Sequence, residues 1–386
     1  MPNTKNYIAE FGNKTFDEVP FNDADAVAIC EIFYMPFENV VSASADKNPL
    51  DFSQSCEKLF EQRGCKHKAL GLLLTNVPSK RMMEMSAALR YKDMKIIRVK
   101  SVYSQEPAVQ YCSASFLLPD GTIFVVYRGT DDTVAGWAED LNIYTRKGSP
   151  SYDIALEDLS EIAEKHSGNI ILCGHSKGGN IALYTACKCS DEIRERIAAV
   201  YNLDGPGYAD MSLFSTPEYK SLLPRYKHYV PSSSFIGMLM EHDDDYTAVK
   251  SNKHIGMLQH DVGTWQIKDG KLITVPDTDI VSKVVDEWLS TMFDNLSPEG
   301  EEAMDKIVNK VALGLGYKTL AEVSRHAKTA IDGAVDAYNS IDPDVRQAFT
   351  QAFKGGMKVL RKSAKFVYNT TYKTADTVMQ VANNLT

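Results

Sequence analysis

The chain has 386 residues, of which 44% are hydrophobic and 24% charged, and its formal net charge is −9. That composition is ordinary for a globular protein with a real core. The acidic balance, with no nucleic-acid-binding motif, argues against a nucleic-acid partner.

The opening residues Met1–Asn6 are polar and lead into Phe16-Asp17-Glu18 without an apolar segment, so no secretory leader is expected. The longest apolar runs fall well short of the ~20 residues that a spanning helix requires. The seven cysteines, Cys30, Cys56, Cys65, Cys112, Cys173, Cys187 and Cys189, are odd in number and irregularly spaced. They complete no zinc pattern, so no metal is expected, and reduced, mostly buried thiols in a cytoplasmic protein are the reading.

Residues 16–44 read as a helical lead, with Asn22 or Asp23 placed to cap a run starting near Ala24. Residues 55–95 also read as helical, interrupted around Pro78. From residue 96 the pattern turns to strands. Ala108–Leu118 and Thr122–Arg128 flank Pro119-Asp120-Gly121, which predicts a hairpin.

A βαβ rhythm follows. Ile154, Leu156, Leu159, Ile162 and Ala163 recur at helical spacing, and Asn169–Cys173 is a short apolar strand of the type buried on both faces. Gly179–Cys189 predicts a helix, Ile197–Leu203 and Tyr226–Val230 predict strands, and Trp265–Val275 predicts a second hairpin around Asp269-Gly270. Strands alternating with helices imply an α/β fold with a mostly parallel central sheet. After Pro276 the strand signals stop, so the chain divides into a catalytic unit over 1–276 and an all-helical C-terminal extension over 277–386.

The strongest motif is Gly174-His175-Ser176-Lys177-Gly178, set between the strand Ile170–Cys173 and the following helix. A Gly-x-Ser-x-Gly turn in that context holds its serine in a strained conformation above the sheet, and side chains two residues to either side would collide. Gly179, Ala182 and Ala186 then allow close helix–sheet packing, and the helix N-terminus directs its dipole at the serine. Ser176 is therefore the expected nucleophile. His175 is adjacent to it, would point away, and is read as structural.

In this type of sheet the acid and then the histidine follow the serine along the chain. His260 falls in a loop just before the last hairpin and is the expected base, with His254 in reserve; His228 lies inside a strand and His326 in a distant helix. The strand Tyr226–Val230 is followed by Pro231-Ser232-Ser233-Ser234-Phe235, with no carboxylate before Glu241. The preceding strand ends in Leu203-Asp204-Gly205-Pro206, which puts a lone carboxylate at the sheet edge where catalytic groups gather. Asp204 is the expected acid, and Glu241, Asp243, Asp244 and Asp245 read as a solvated loop. One oxyanion donor is expected from the backbone N–H after the nucleophile, at Lys177, and a second from a loop upstream such as the one ending Val125–Thr130.

Tyr127-Arg128-Gly129-Thr130, then Trp137 and Asp140-Leu141, then Gly174-His175-Ser176-Lys177-Gly178-Gly179, together resemble the class-three (fungal-type) lipases of the α/β-hydrolase superfamily. The layout from about Phe16 to Val275 is similar to a bacterial branch of that superfamily. Its features include Phe21-Asn22-Asp23-Ala24-Asp25, Val249-Lys250-Ser251-Asn252 and Leu258-Gln259-His260-Asp261. The resemblance covers roughly two thirds of the chain. It implies an α/β-hydrolase fold, Thr130 in the oxyanion position through its N–H and its hydroxyl, and hydrolysis of small-molecule or lipid-like carboxylic esters through an acyl-enzyme without a cofactor. Arg128 and Asp140 are expected as a structural pair, and Trp137 as a core residue.

One departure stands out. Fungal-type lipases place the acid after the later strand, where this chain has Ser232–Ser234, whereas Leu203-Asp204-Gly205-Pro206 resembles the pancreatic-type lipases. Thioesterase, acyltransferase and peptidase chemistry use the same parts, and a non-catalytic scaffold acting through its helical tail is the reading of another class. From Val345 that tail carries seven lysines and arginines against Asp376 alone, and Phe349, Phe353, Met357, Leu360, Ala364 and Val367 form one apolar stripe. Such a helix suits docking on the catalytic unit, a lid, a homo-oligomer contact, or peripheral contact with anionic lipid.

Overall fold

Short runs of β-branched and aromatic residues build an eight-stranded sheet in which spatial order follows chain order. The strands are β1 (Leu50–Asp51), β2 (Lys95–Gln105), β3 (Ala108–Leu117), β4 (Ile123–Tyr127), β5 (Ile170–His175), β6 (Ile197–Leu203), β7 (Tyr226–Pro231) and β8 (Thr247–Val249). β1 to β4 pair antiparallel, and β4 to β8 pair parallel. This is a computed structural model, and it describes residues 1–44, 48–63, 70, 78–144, 148–243, 245–254 and 256–279, with isolated positions between 300 and 347. The helical extension expected over 277–386 lies outside the described residues apart from those positions and 277–279.

The central strands are buried along their whole length, and their alternation splits the core in two. Phe124, Val126, Ile171 and Cys173 face one layer, which contains α1 (Thr4–Phe11), α2 (Asp23–Ile32), α3 (Phe52–Arg63) and α4 (Pro78–Ser86). Ile123, Val125, Ile170 and Leu172 face the other. That layer is built from α6 (Pro150–Lys165), α7 (Lys177–Lys188), α8 (Asp191–Arg196) and α9 (Pro217–Leu222), with α5 (Val134–Tyr144) packed against β3; α10 (Gly256–Gln259) follows β8. The result is an α/β fold with helices on both faces of a mostly parallel sheet, as the alternating pattern implied.

The expected hairpins form. β3 and β4 pair directly, and β9 (Ile267–Lys268) with β10 (Lys271–Leu272) make a separate two-stranded sheet. Asp269 and Gly270 between them both have positive φ, which the two-residue turn requires. Asn22 caps α2 by accepting the Ala24 N–H, while the Asp25 side chain accepts the Asn22 N–H.

The expected helical lead is narrower than read. α1 instead covers the polar opening, because Asn3 and Asn6 form a capping box and Tyr7, Ile8 and Phe11 bury one face. Asp25, fully buried, is paid for by Arg90, Tyr7 and Tyr91, which all donate to it. Among the described residues no helix is long and apolar enough to cross a membrane.

Candidate active site

The parallel strands deliver the site at their C-terminal ends. β5 runs through His175 into Ser176, which sits at φ 57° and ψ −131° as the residue before α7. The glycine requirement at this turn is steric. A Cβ on Gly174 would lie 2.0 Å from the Gly178 carbonyl oxygen, and one on Gly178 would lie 2.1 Å from that of Tyr127. The Ser176 N–H donates to the Leu203 carbonyl at 3.0 Å, tying the turn to the end of β6. Its hydroxyl is half-buried and has no hydrogen-bond partner among the described residues.

Asp204 follows β6 directly and is the second residue of the site with positive φ, at 53°. Its N–H donates to Tyr229 on β7 at 2.8 Å, and its side chain is fully buried. Oδ1 accepts from the Ser234 hydroxyl at 2.5 Å and from the Gly237 N–H at 3.1 Å. Oδ2 lies 2.7 Å from His260 Nδ1. Strained backbone of this type persists only where surrounding bonds over-determine it, and here they do.

His260 follows α10, and its loop is held from several sides. Trp265 Nε1 donates to the Gln259 carbonyl at 2.9 Å, and the Gln259 side chain accepts the Ser233 N–H at 3.0 Å. His175 adds a further clamp: its Nε2 lies 2.7 Å from the His260 carbonyl, and its ring packs 4.3 Å from the His260 ring. Donating from Nε2 makes Nδ1 the acceptor of the Tyr34 hydroxyl at 2.6 Å. Burial, with the neighbouring His260 second, pushes His175 well below the ordinary imidazole range, so it stays neutral. His175 is thus structural, as read, but with a role the sequence did not reveal: it links the residue before Ser176 to the backbone of His260. The reserve candidate His254 is exposed, and His228 is buried in β7 against the ring of His242.

The loop after β4 lies against the serine. A Cβ on Gly129 would come within 3.0 Å of Ser176 Cβ and 2.5 Å of the His175 carbonyl oxygen, so only glycine lets the chain pass there. Thr130 is next, and its hydroxyl donates to Asp140 Oδ2 at 2.6 Å. The expected Arg128–Asp140 pair is not made. Arg128 reaches back to α2 and beyond, donating to the carbonyls of Phe33 and Met35 and forking onto Glu38 at 2.9 and 2.8 Å. Burial, against the opposing pull of Lys177 and Thr130, pushes the Asp140 carboxyl up to about 6. Trp137, expected in the core, is 37% exposed on α5.

The Lys177 side chain turns away from Ser176. Its Nζ donates to the Gln110 carbonyl at 2.8 Å, to Gln110 Oε1 at 3.1 Å and to Glu139 Oε2 at 2.8 Å. Burial disfavours this ammonium, but Glu139 and Asp140 outweigh it and hold it above the ordinary lysine range. Lys177 therefore has no lone pair with which to serve as a base for its neighbour.

A strained serine between a buried strand and a helix, with a buried aspartate leaving the adjoining strand and paired to a histidine from a later loop, defines a lipase-like α/β protein. The chain belongs to the Mbeg1-like family, whose model matches residues 85–309 and so takes in β2 to β10. No curated protein matches it in sequence. Among solved structures it is similar to M37 lipase, at 14% identity over 57% of this chain and 70% of that one, with a TM-score of 0.33. It is also similar to the Rhizomucor miehei lipase propeptide complex, at 16% identity over 58% and 68%, with a TM-score of 0.31.

Proposed function

We propose that the chain is a serine hydrolase of carboxylic esters that works through a covalent acyl-enzyme. The observation that carries this reading is the 2.7 Å contact between His260 Nδ1 and the buried Asp204, next to a serine held at positive φ. Asp204 accepts a hydrogen bond from Nδ1–H, which keeps that proton on Nδ1 and leaves the Nε2 lone pair to take the proton of Ser176. Ser176 Oγ attacks the ester carbonyl, and the alkoxide leaves with a proton returned by His260. Water then attacks the acyl-enzyme with His260 again as base. The Lys177 and Thr130 N–H groups are the oxyanion donors in this scheme. In substrate-free enzymes the serine–histidine hydrogen bond is often long and tightens on binding.

Lipid-like acyl esters are the proposed substrates. Trp137, on the helix after Thr130, and Met257, three residues before His260, are 37% and 51% exposed and offer apolar surface on two elements of the site.

The test is intact mass after exposure to a fluorophosphonate, on the wild type and on Ser176→Ala. One adduct on the wild type and none on the variant is the expected result. An adduct that survives Ser176→Ala, or none on a folded wild type, refutes the reading.

A further inference from the structure

Lys177 raises a question that the catalytic scheme leaves open. Its ammonium is almost wholly buried one residue from the nucleophile, and burying a charge is strongly unfavourable unless it is fully paired. A well-packed apolar residue in such a place is often as stable as an ion pair, so stability alone does not account for it. What an ion pair adds is direction.

Glu139 supplies that direction. Besides Lys177 it accepts from the Ser149 hydroxyl at 2.5 Å, the Ser151 hydroxyl at 2.6 Å, the Ser151 N–H at 3.2 Å and the Gln110 N–H at 2.8 Å. With donors from β3 and from the start of α6 on it, the carboxylate cannot swing. All three Nζ–H groups of Lys177 are likewise committed, two of them to Gln110 on β3. The next residue on α5, Asp140, holds the Thr130 hydroxyl. Two consecutive carboxylates therefore grip, by their side chains, the two residues proposed as the oxyanion donors.

We infer that Glu139 is a positioning residue for acyl transfer, holding Lys177 so that its backbone N–H stays at a fixed separation from that of Thr130. This inference rests on the reading of Ser176 as an acylated nucleophile. A preorganised pair of donors is effective only while its geometry is held, and a misplacement of about 1 Å costs up to ~100-fold.

The experiment is Glu139→Gln in the full chain, an isosteric change that keeps an acceptor for the serine hydroxyls but removes the charge facing Lys177. On folded variant the rate constant for fluorophosphonate labelling falls about tenfold or more, and kcat for p-nitrophenyl acetate falls with it while KM stays within about twofold. A merely structural role lowers the melting temperature and the fraction labelled but leaves the rate constant of the folded fraction unchanged, and that result overturns the inference. If Glu139→Gln does not fold, Glu139→Leu combined with Lys177→Met leaves no charge unpaired. The same fall is expected there, and a wild-type rate overturns the inference. Absence of any adduct on the wild type removes the hydrolase reading itself, whereas a labelled wild type with unchanged variants removes only the role of Glu139.

Discussion

Asp204→Asn tests the site most sharply, because the structure dictates how the new amide must sit. Oδ1 faces two donors, the Ser234 hydroxyl at 2.5 Å and the Gly237 N–H at 3.1 Å. Only the amide oxygen can accept from both, so the amide nitrogen is forced to the Oδ2 position, 2.7 Å from His260 Nδ1. Nδ1 must then accept rather than donate, which moves the imidazole proton to Nε2. In that tautomer Nε2 presents a proton to Ser176 in place of the lone pair the reaction needs. Loss of the correct tautomer in a triad costs roughly 10⁴-fold, or about 5.5 kcal/mol of activation free energy. Packing is preserved, so the variant is expected to fold with the Ser234 and Gly237 bonds intact. The assay is the pseudo-first-order rate of fluorophosphonate labelling, alongside kcat for a short ester. A folded Asp204→Asn variant that labels within about tenfold of the wild type refutes Asp204 as the residue that orients His260.

Two further changes probe the surroundings. Gly129→Ala drives a methyl group to 2.3 Å from the Tyr34 hydroxyl and 2.5 Å from the His175 carbonyl oxygen. The Thr130 loop must move away, and labelling is expected to slow about 10- to 100-fold with a stability loss of about 1–3 kcal/mol; unchanged kinetics refute the tight approach of this loop. Glu31, 2% exposed behind the His260 loop, has its carboxyl raised from 4.5 to about 7 by burial, with Asp261 and Glu84 adding to the shift and Arg81 and Thr4 opposing it. The fold thus favours the protonated form. Its contribution to stability is present below pH 4.5 and lost as the pH rises through about 7. Glu31→Gln should match the wild type in urea unfolding at pH 4.5 and exceed it by about 3 kcal/mol at pH 9. Equal pH dependence in the two proteins refutes the shift.

What could be read from the sequence was what is local. The glycines around Ser176 announce a strand–turn–helix because their reason lies within the turn, and β4 to β7 announce themselves by apolar runs bounded by turn residues. Elements whose support is distant were not legible. α1 opens on polar residues and becomes a helix only when Tyr7, Ile8 and Phe11 find the layer of α2 and α4. β8 is three residues long and follows an acidic loop, and its partners lie elsewhere in the chain, on the edge of β7 and at Thr274 and Val275. The same holds for buried charge. The sequence offers the nearer Asp140 as the partner of Arg128, whereas its partner is Glu38, 90 residues earlier, and the Lys177–Glu139 pair has no periodicity to betray it.

The position of the proposed acid, Asp204, follows from the sheet register. β5 and β6 run parallel with His175 beside Leu203, so the residues that leave the two strands, Ser176 and Asp204, emerge side by side. The Ser176 N–H bond to Leu203 locks that adjacency. β7 is one strand further out, and its end carries Ser232–Ser234 in place of a carboxylate. Ser234 reaches back to donate to Asp204, and Asp204 in turn donates its N–H to Tyr229 on β7. The outer strand thus contributes the donors that hold the carboxylate of the inner one. A carboxylate introduced at Ser234 would meet Asp204 across a hydrogen-bond distance in a buried space, and two like charges there cannot both remain ionised. Acid on β6 and hydroxyl on β7 are one arrangement, and neither can be exchanged for the other singly.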